Sequence, residues 1–217
     1  MVSTEIAQEK QGKHPPERPT RPYGYLVTAT SRVAQRALGV DRPVFAELAA
    51  ADFRPEHQPI DVRFTAPTVQ TGLAFVLGRP LAGPDVTVVD VVRAVDHVLL
   101  AADISESPES EAPAGARRVV VLGTRPSGVD GIDLRLAGCL LHRDGELVET
   151  GAGGMMLGSP LNALVWLANE VCAEGLALAA GQVVLVCSMT RPAALPAGAA
   201  AVVSVPGLGS VTAVLGA

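Results

Sequence analysis

Aromatic side chains are scarce in this chain: one Trp, two Tyr and four Phe among 217 residues. Core packing therefore falls to alanine, valine and leucine. Basic residues are not in excess either. Lys and Arg number 17 against 22 Asp and Glu, a net charge of -5. There is no electrostatic footprint for nucleic acid, and that class of partner is excluded. Cysteines are few, at Cys139, Cys172 and Cys187, and none stands in a C-x-x-C pair. Neither a zinc site nor a disulfide framework is expected. All three lie within apolar stretches and read as buried thiols, which fits a reducing, cytoplasmic setting. The N-terminal MVSTEIAQEKQGK lacks the apolar core of a signal peptide. No apolar run approaches roughly 18 residues, so no membrane span is expected. No G-x-x-x-x-G-K-S phosphate loop occurs, and Ser188 and Thr190 lie outside any G-x-S-x-G elbow. Gly151, Gly153 and Gly154 read as a tight turn with close backbone packing rather than a phosphate cradle.

What is present suffices for one large domain. Residues 1–22 are polar and proline-rich (KHPPERPTRP near the end), a composition that reads as a flexible tail. Residues 23–217 read as a single domain. Its organising stretch runs from Gly151 to Ser188. Ser159 is a suitable N-cap and Pro160 suits the first helical position. Leu161, Leu164, Val165, Ala168, Val171 and Cys172 recur at helical spacing, and Gly175 ends the helix. Gln182 to Cys187 is a short apolar run suited to a strand covered on both faces.

The rest of the chain reads as mainly β. Tyr23–Thr28 is a strand. Ser31 caps a helix through Leu38, with Gly39 as its stop. Pro43–Phe53 reads as a short helix and a lid-like loop, and His57 is the titratable ring near it. Pro67–Gly78 is a strand with period two: Val69, Thr71, Leu73, Phe75 and Leu77 on one face, Gln70, Gly72, Ala74 and Val76 on the other. Thr87–His97 reads as a helix opened by a Thr87–Asp90 capping box. Val98–Ile104 is a buried strand. Ser105–Ala116 reads as a solvated acidic loop carrying Glu106, Glu109 and Glu111. Arg117–Gly123 is a strand, and Ile132–His142 with Glu146–Thr150 forms a hairpin turning at Asp144-Gly145. Pro196–Ala213 closes the chain in short strands. Trp166 reads as core or subunit contact.

Three motifs carry a resemblance. Thr150-Gly-Ala-Gly153, the helix Asn162-Ala-Leu-Val-Trp-Leu-Ala-Asn169 and the strand Ala180-Gly-Gln-Val-Val-Leu185 resemble the core of the 2-hydroxypentadienoate hydratase and 4-oxalocrotonate decarboxylase group of the fumarylacetoacetate hydrolase superfamily. Gly24-Tyr-Leu-Val-Thr-Ala-Thr-Ser31 with Leu38-Gly-Val40, and Gly207-Leu-Gly-Ser-Val211, extend the match over most of residues 24–214. The resemblance implies an α+β, mainly β fold: a mixed β-barrel or roll with peripheral helices, the family's N-terminal helical region missing.

It also marks departures at the positions that carry the family's chemistry. The family's lysine falls on Leu26. Two glutamates, which share a strand face and hold a divalent cation, fall on Gln70 and Gly72. A third carboxylate falls on Asp103. A D-N-A-S-like segment has no counterpart in Ser105–Ala116. No cofactor and no metal site are expected.

Two readings from different classes follow. In the first, the chain is a metal-independent small-molecule enzyme of isomerase, cyclase or dehydratase type. It acts on an apolar polyene or polyketide-like carbonyl substrate, as repurposed scaffolds in specialised metabolism do. Asp103 acts as general acid or base, Gln70 and Tyr25 hold the carbonyl, and Leu26, Gly72, His57, Ser188 and Thr190 line the pocket. In the second, the chain is a catalytically inactive subunit that braces or regulates an active hydratase-family partner. An open cavity with Asp103 at its floor favours the first; a filled apolar pocket favours the second. A residual hydratase or decarboxylase of 2-oxo acids stands as a further alternative. A homo-oligomer is expected from the apolar composition.

Overall fold

The structure is a computed structural model that describes residues 21–107 and 117–217. The expected tail over residues 1–22 lies almost wholly outside the described residues, as do Glu109 and Glu111 of the acidic loop.

Two sheets make the fold. The first runs β2-β1-β10-β5-β6-β7-β3, with β11 (Ala193–Ala194) paired to β5. Its strands are β1 (Gly24–Thr28), β2 (Val44–Leu48), β3 (Phe53–Arg54), β5 (Pro67–Leu77), β6 (Val95–Glu106), β7 (Arg118–Leu122) and β10 (Val183–Cys187). The two ends of this order, β2 and β3, are joined by a single 3-10 turn at Ala50–Asp52. The sheet therefore curls, the turn tying its two edges together, and has an inner and an outer face. The second sheet runs β4-β13-β12-β8-β9, from β4 (Pro59–Ile60), β8 (Gly138–Arg143), β9 (Glu146–Ala152), β12 (Ala200–Val205) and β13 (Gly209–Leu215). Among the described residues, three α-helices decorate the sheets: α1 (Arg32–Leu38), α2 (Val88–Ala94) and α3 (Pro160–Ala173).

The outer face of the curled sheet buries the larger core. Val27, Leu73, Phe75, Leu100, Val184 and Val186 pack there with Leu164, Leu167 and Val171 of α3 and with Val203 and Val211 of the second sheet. Every residue of β10 is buried, as expected for a strand flanked by β1 and β5. The inner face carries a smaller cluster, Leu26, Leu48, Ala74, Ala101, Val120, Val183, Leu185 and Cys187. Its small residues suit the narrow inside of a curl.

Most local signals hold. Ser31 Oγ accepts from the Ala34 amide at 3.1 Å, and Gly39 closes α1 in the left-handed conformation, φ 67°. The Thr87 amide and hydroxyl both donate to Asp90 Oδ2, at 2.9 and 2.6 Å. Asp144 and Gly145 turn the β8–β9 hairpin with φ of 50° and 88°. Trp166 is partly buried against the larger core, its ring 6.2 Å from that of Phe45.

Four expectations change. Residues 43–53 hold no α-helix: Val44–Leu48 is an edge strand antiparallel to β1, followed by the 3-10 turn. Helix α2 stops at Ala94, because Val95–His97 already belong to β6. Residues 132–137 precede β8 rather than forming part of it. In α3 the buried face is Ala163, Leu164, Leu167, Ala168 and Val171, with Leu161 and Val165 only partly buried, and Ser159 makes no side-chain cap bond.

Candidate functional site

Alternation along the strands decides which side chains meet. In the β5–β6 ladder Gln70 lies opposite Asp103, and in the β6–β7 ladder Asp103 lies opposite Val120 and Ser105 opposite Arg118. In the β10–β5 ladder Cys187 lies opposite Gly72, and Leu26 lies opposite Leu185 across β1–β10. Leu26, Gln70, Gly72 and Asp103, from three separate strands, thus share the inner face of the curl.

Asp103 is the centre of this group and is wholly buried. Its Oδ2 accepts from Gln70 Nε2 at 2.7 Å and faces the Cys187 thiol at 3.7 Å. Arg118 Nη1 donates to both carboxylate oxygens. The Arg118 side chain is itself only 19 % exposed. Burial works against the guanidinium charge, but the Asp103 carboxylate more than offsets it and holds Arg118 above its ordinary range. Burial pushes the Cys187 thiol well above its usual value, and the nearby Asp103 adds to this, so Cys187 is an uncharged filler rather than a nucleophile.

Gly72 sits under Cys187. A Cβ at this position would lie 2.8 Å from Cys187 Sγ and 3.0 Å from Leu185 Cδ1. The place where the family resemblance puts a second carboxylate is therefore filled by β10 side chains.

A separate cavity of about 750 Å³ opens beside this group. Ser188, Met189 and Thr190 form one wall, directly after β10. Thr68, two residues before Gln70 on the same strand face, forms another. Val33, Ala34 and Ala37 of α1 with Met155 and Pro192 give it an apolar side, and Ser31, Thr150 and Glu149 a polar one. Glu149 is paired with Arg191 at 3.3 Å. Thr190 Oγ1 also accepts from the Thr71 amide at 3.1 Å, which fixes its rotamer. The hydroxyls can hold an oxygen-bearing ligand end.

The expected site residues accordingly divide. Gln70, Gly72, Leu26 and Asp103 come together, but in a closed interior that does not form the cavity lining. Ser188 and Thr190 line the cavity, as expected. Tyr25 is a correction: it packs on the outer face against Phe45, its ring 6.3 Å away, and belongs to the larger core. Burial raises its hydroxyl pKa, with Glu47 adding to the effect. His57 is a second correction. It lies on an exposed turn beside Glu56, its amide donating to Thr212 O of the second sheet, and it does not line the cavity. Glu106 is a third: it ends β6 and its carboxylate accepts from the Thr65 and Ala66 amides, both at 2.9 Å, rather than standing in a solvated loop. Arg118, Thr68 and Glu149 went unread in the sequence. The Gly151 and Gly153 turn is explained by packing, since Cβ atoms there would lie 1.9 Å from Met189 O and 1.8 Å from Leu134 O.

A curled mixed sheet against a second, mainly antiparallel sheet, with α3 on the outer face, is the fold of the fumarylacetoacetate hydrolase superfamily. A solved 4-oxalocrotonate decarboxylase from Pseudomonas putida G7, complexed with calcium and acetate, superposes with TM-score 0.83 at 28 % identity, over 90 % of this chain and 78 % of that one. The fold extends to 2-hydroxyhepta-2,4-diene-1,7-dioate isomerase from Mycobacterium marinum, TM-score 0.72 at 14 % identity, over 88 % of this chain and 73 % of that one. No family model matches the chain. Among curated relatives, the 2-keto-4-pentenoate hydratase of Paraburkholderia xenovorans (strain LB400) is 36 % identical over 88 % of this chain and 75 % of its own length. The 2-oxo-hept-4-ene-1,7-dioate hydratase of Escherichia coli is 34 % identical over 78 % and 69 % respectively. The chain belongs to this family of 2-oxo-acid hydratases and decarboxylases.

Solved 4-oxalocrotonate decarboxylase carries calcium in one structure and magnesium in another. Such hard cations need several oxygen ligands, magnesium in near-octahedral array. Among the described residues no three His, Cys, Asp or Glu side chains stand close enough to hold a metal. The inner face offers one neutral amide, no side chain at Gly72, and a carboxylate already taken by Arg118. These residues do not fit the cation.

Proposed function

We propose that this chain is a lyase- or isomerase-type enzyme that handles a small carbonyl or 2-oxo-acid substrate without a divalent cation. The observation that carries the reading is the Arg118 guanidinium on both oxygens of Asp103. A buried carboxylate so paired is not available as a metal ligand. The substrate's place is the cavity of about 750 Å³ beside it, where hydroxyls of Ser188, Thr190 and Thr68 meet an apolar wall from α1. That lining suits a molecule with one oxygen-rich end and an apolar body, such as a polyene or polyketide-like acid. The names of the relatives support hydration or decarboxylation of a 2-oxo acid as the first reactions to assay.

The test is turnover of 2-hydroxypenta-2,4-dienoate, 4-oxalocrotonate and longer polyene ketones, in EDTA and again in magnesium. Turnover that survives EDTA and falls at least tenfold in Ser188→Leu, which fills the cavity, supports the proposal. Turnover only with added magnesium refutes it. A second reading, a non-catalytic subunit bound to an active relative, is favoured by one observation: Leu26, Leu185 and Cys187 pack the inner face solid. No turnover on any substrate, with co-purification of an active hydratase-family partner, would select it.

A further inference from the structure

Asp103 is a fully buried acid in the narrow inside of a curled sheet. A bare charge there is untenable, so something must neutralise it. In this chain the neutralising group is supplied from within. Arg118 starts β7 opposite Ser105, on the strand face that also carries Asp103, and its side chain reaches one residue pair along to meet the carboxylate. We propose that Arg118 is a fixed internal cation, which takes the charge-balancing place of a divalent metal in this fold and bars one from entering.

Three observations converge on it. The guanidinium Nη1 spans both Asp103 oxygens, while Gln70 and Cys187 supply the other donors to Oδ2. Among the described residues, each of these partners is a donor that a metal would have to displace. Gly72, the next position after Gln70 on this face of β5, is capped by Cys187 and Leu185. Arginine keeps its proton at any physiological pH, so this charge is permanent. The consequence is chemical: the site's positive charge cannot be chelated away, and it cannot supply the open coordination positions through which a metal activates an oxygen.

Gln70 follows the same logic. A glutamate there would put two carboxylates 2.7 Å apart against a single guanidinium. The neutral amide instead donates to Asp103 and keeps the pair balanced at one charge each. Gln70 and Arg118 are therefore positioning residues for Asp103 rather than groups that meet substrate.

The inference rests on the metal-free reading above but not on any particular reaction. Its test is the unfolding midpoint and calorimetric titration of the full chain with magnesium and manganese. Wild type is expected to show neither heat of binding nor a midpoint shift at millimolar metal. Gln70→Glu/Arg118→Ala, which restores a second carboxylate and removes the internal cation, is expected to gain a manganese-dependent rise in midpoint. If it folds only when manganese is added, that too supports the proposal. Arg118→Lys keeps the charge and is expected to remain insensitive to metal. One-to-one metal binding by wild type overturns the inference, and so does a folded double variant that ignores manganese. Lack of turnover on all carbonyl substrates would sink the proposed activity alone and leave these results standing.

Discussion

Replacing Arg118 by methionine isolates the buried pair. Methionine keeps most of the stem volume and removes only the guanidinium. Asp103, fully buried, is left with the Gln70 amide at 2.7 Å and the Cys187 thiol at 3.7 Å. Coulomb attraction between unit charges at contact, at an effective dielectric of about 20, is about 4 kcal/mol. Truncating one partner of a buried pair costs about 3–5 kcal/mol in measured cases. Arg118 keeps 19 % of its side-chain surface in water, which argues for the lower end of that range. In a chain of this size each kcal/mol moves the midpoint by about 2–4 °C, so a fall of roughly 6–12 °C is expected. The assay is thermal and urea unfolding at pH 7. Asp103→Asn/Arg118→Met removes both charges and should recover most of the loss, because an uncharged replacement of a buried pair is often neutral. A single-variant cost below about 1 kcal/mol, or a double variant as unstable as the sum of its singles, would refute the pairing as the reason Asp103 is tolerated.

Three other outcomes follow from the same structure. Gly151→Ala drives a Cβ to 1.9 Å from Met189 O, a backbone atom that cannot swing aside; destabilisation at or above about 3 kcal/mol is expected by urea unfolding. Thr190→Val strips the acceptor from the Thr71 amide, 3.1 Å away and buried; the unpaired donor should cost about 1–3 kcal/mol, with Thr190→Ser restoring most of it. Burial pushes the Cys139 thiol up to about 11. The unfolded chain gives up this proton near pH 8.5 while the native one retains it. Stability from this group is complete below that point and is lost as pH climbs towards 11. Wild type should therefore lose stability faster than Cys139→Ala between pH 8 and 11, by about 2–3 kcal/mol at the upper end; parallel curves would contradict it.

Much of the fold was legible along the chain because its signals are local. Ser31 and Gly39 bracket α1, Thr87 and Asp90 open α2, and Asp144-Gly145 turns a hairpin, each through bonds spanning a few residues. The two faces of β5 follow from alternation, and the motifs around Gly151, Asn162 and Ala180 point to the family. Alternation also carried a warning about the site: Tyr25 and Leu26 are consecutive in one strand and cannot both face the same pocket.

What lay beyond the sequence is long-range. Residues 43–53 read as a short helix and a lid-like loop in isolation, yet pairing with β1 makes Val44–Leu48 an edge strand whose 3-10 continuation joins the two ends of the sheet. That closure turns one face of β5, β6 and β10 into an interior. Only there do Leu26, the Gln70 and Gly72 pair of β5, and Asp103, which lie on three strands distant in the chain, become neighbours. Arg118 follows Asp103 after an acidic stretch of sequence, and no spacing rule marks it as that residue's partner; the β6–β7 register does. Local signals and alternation thus determined most of the elements and the two faces of β5, and motif resemblance pointed to the family. The tertiary structure decided which of two possible faces was closed, and which charge balanced the buried acid. Ladder register and sheet curl are collective properties of strands distant in sequence, and no local pattern encodes them.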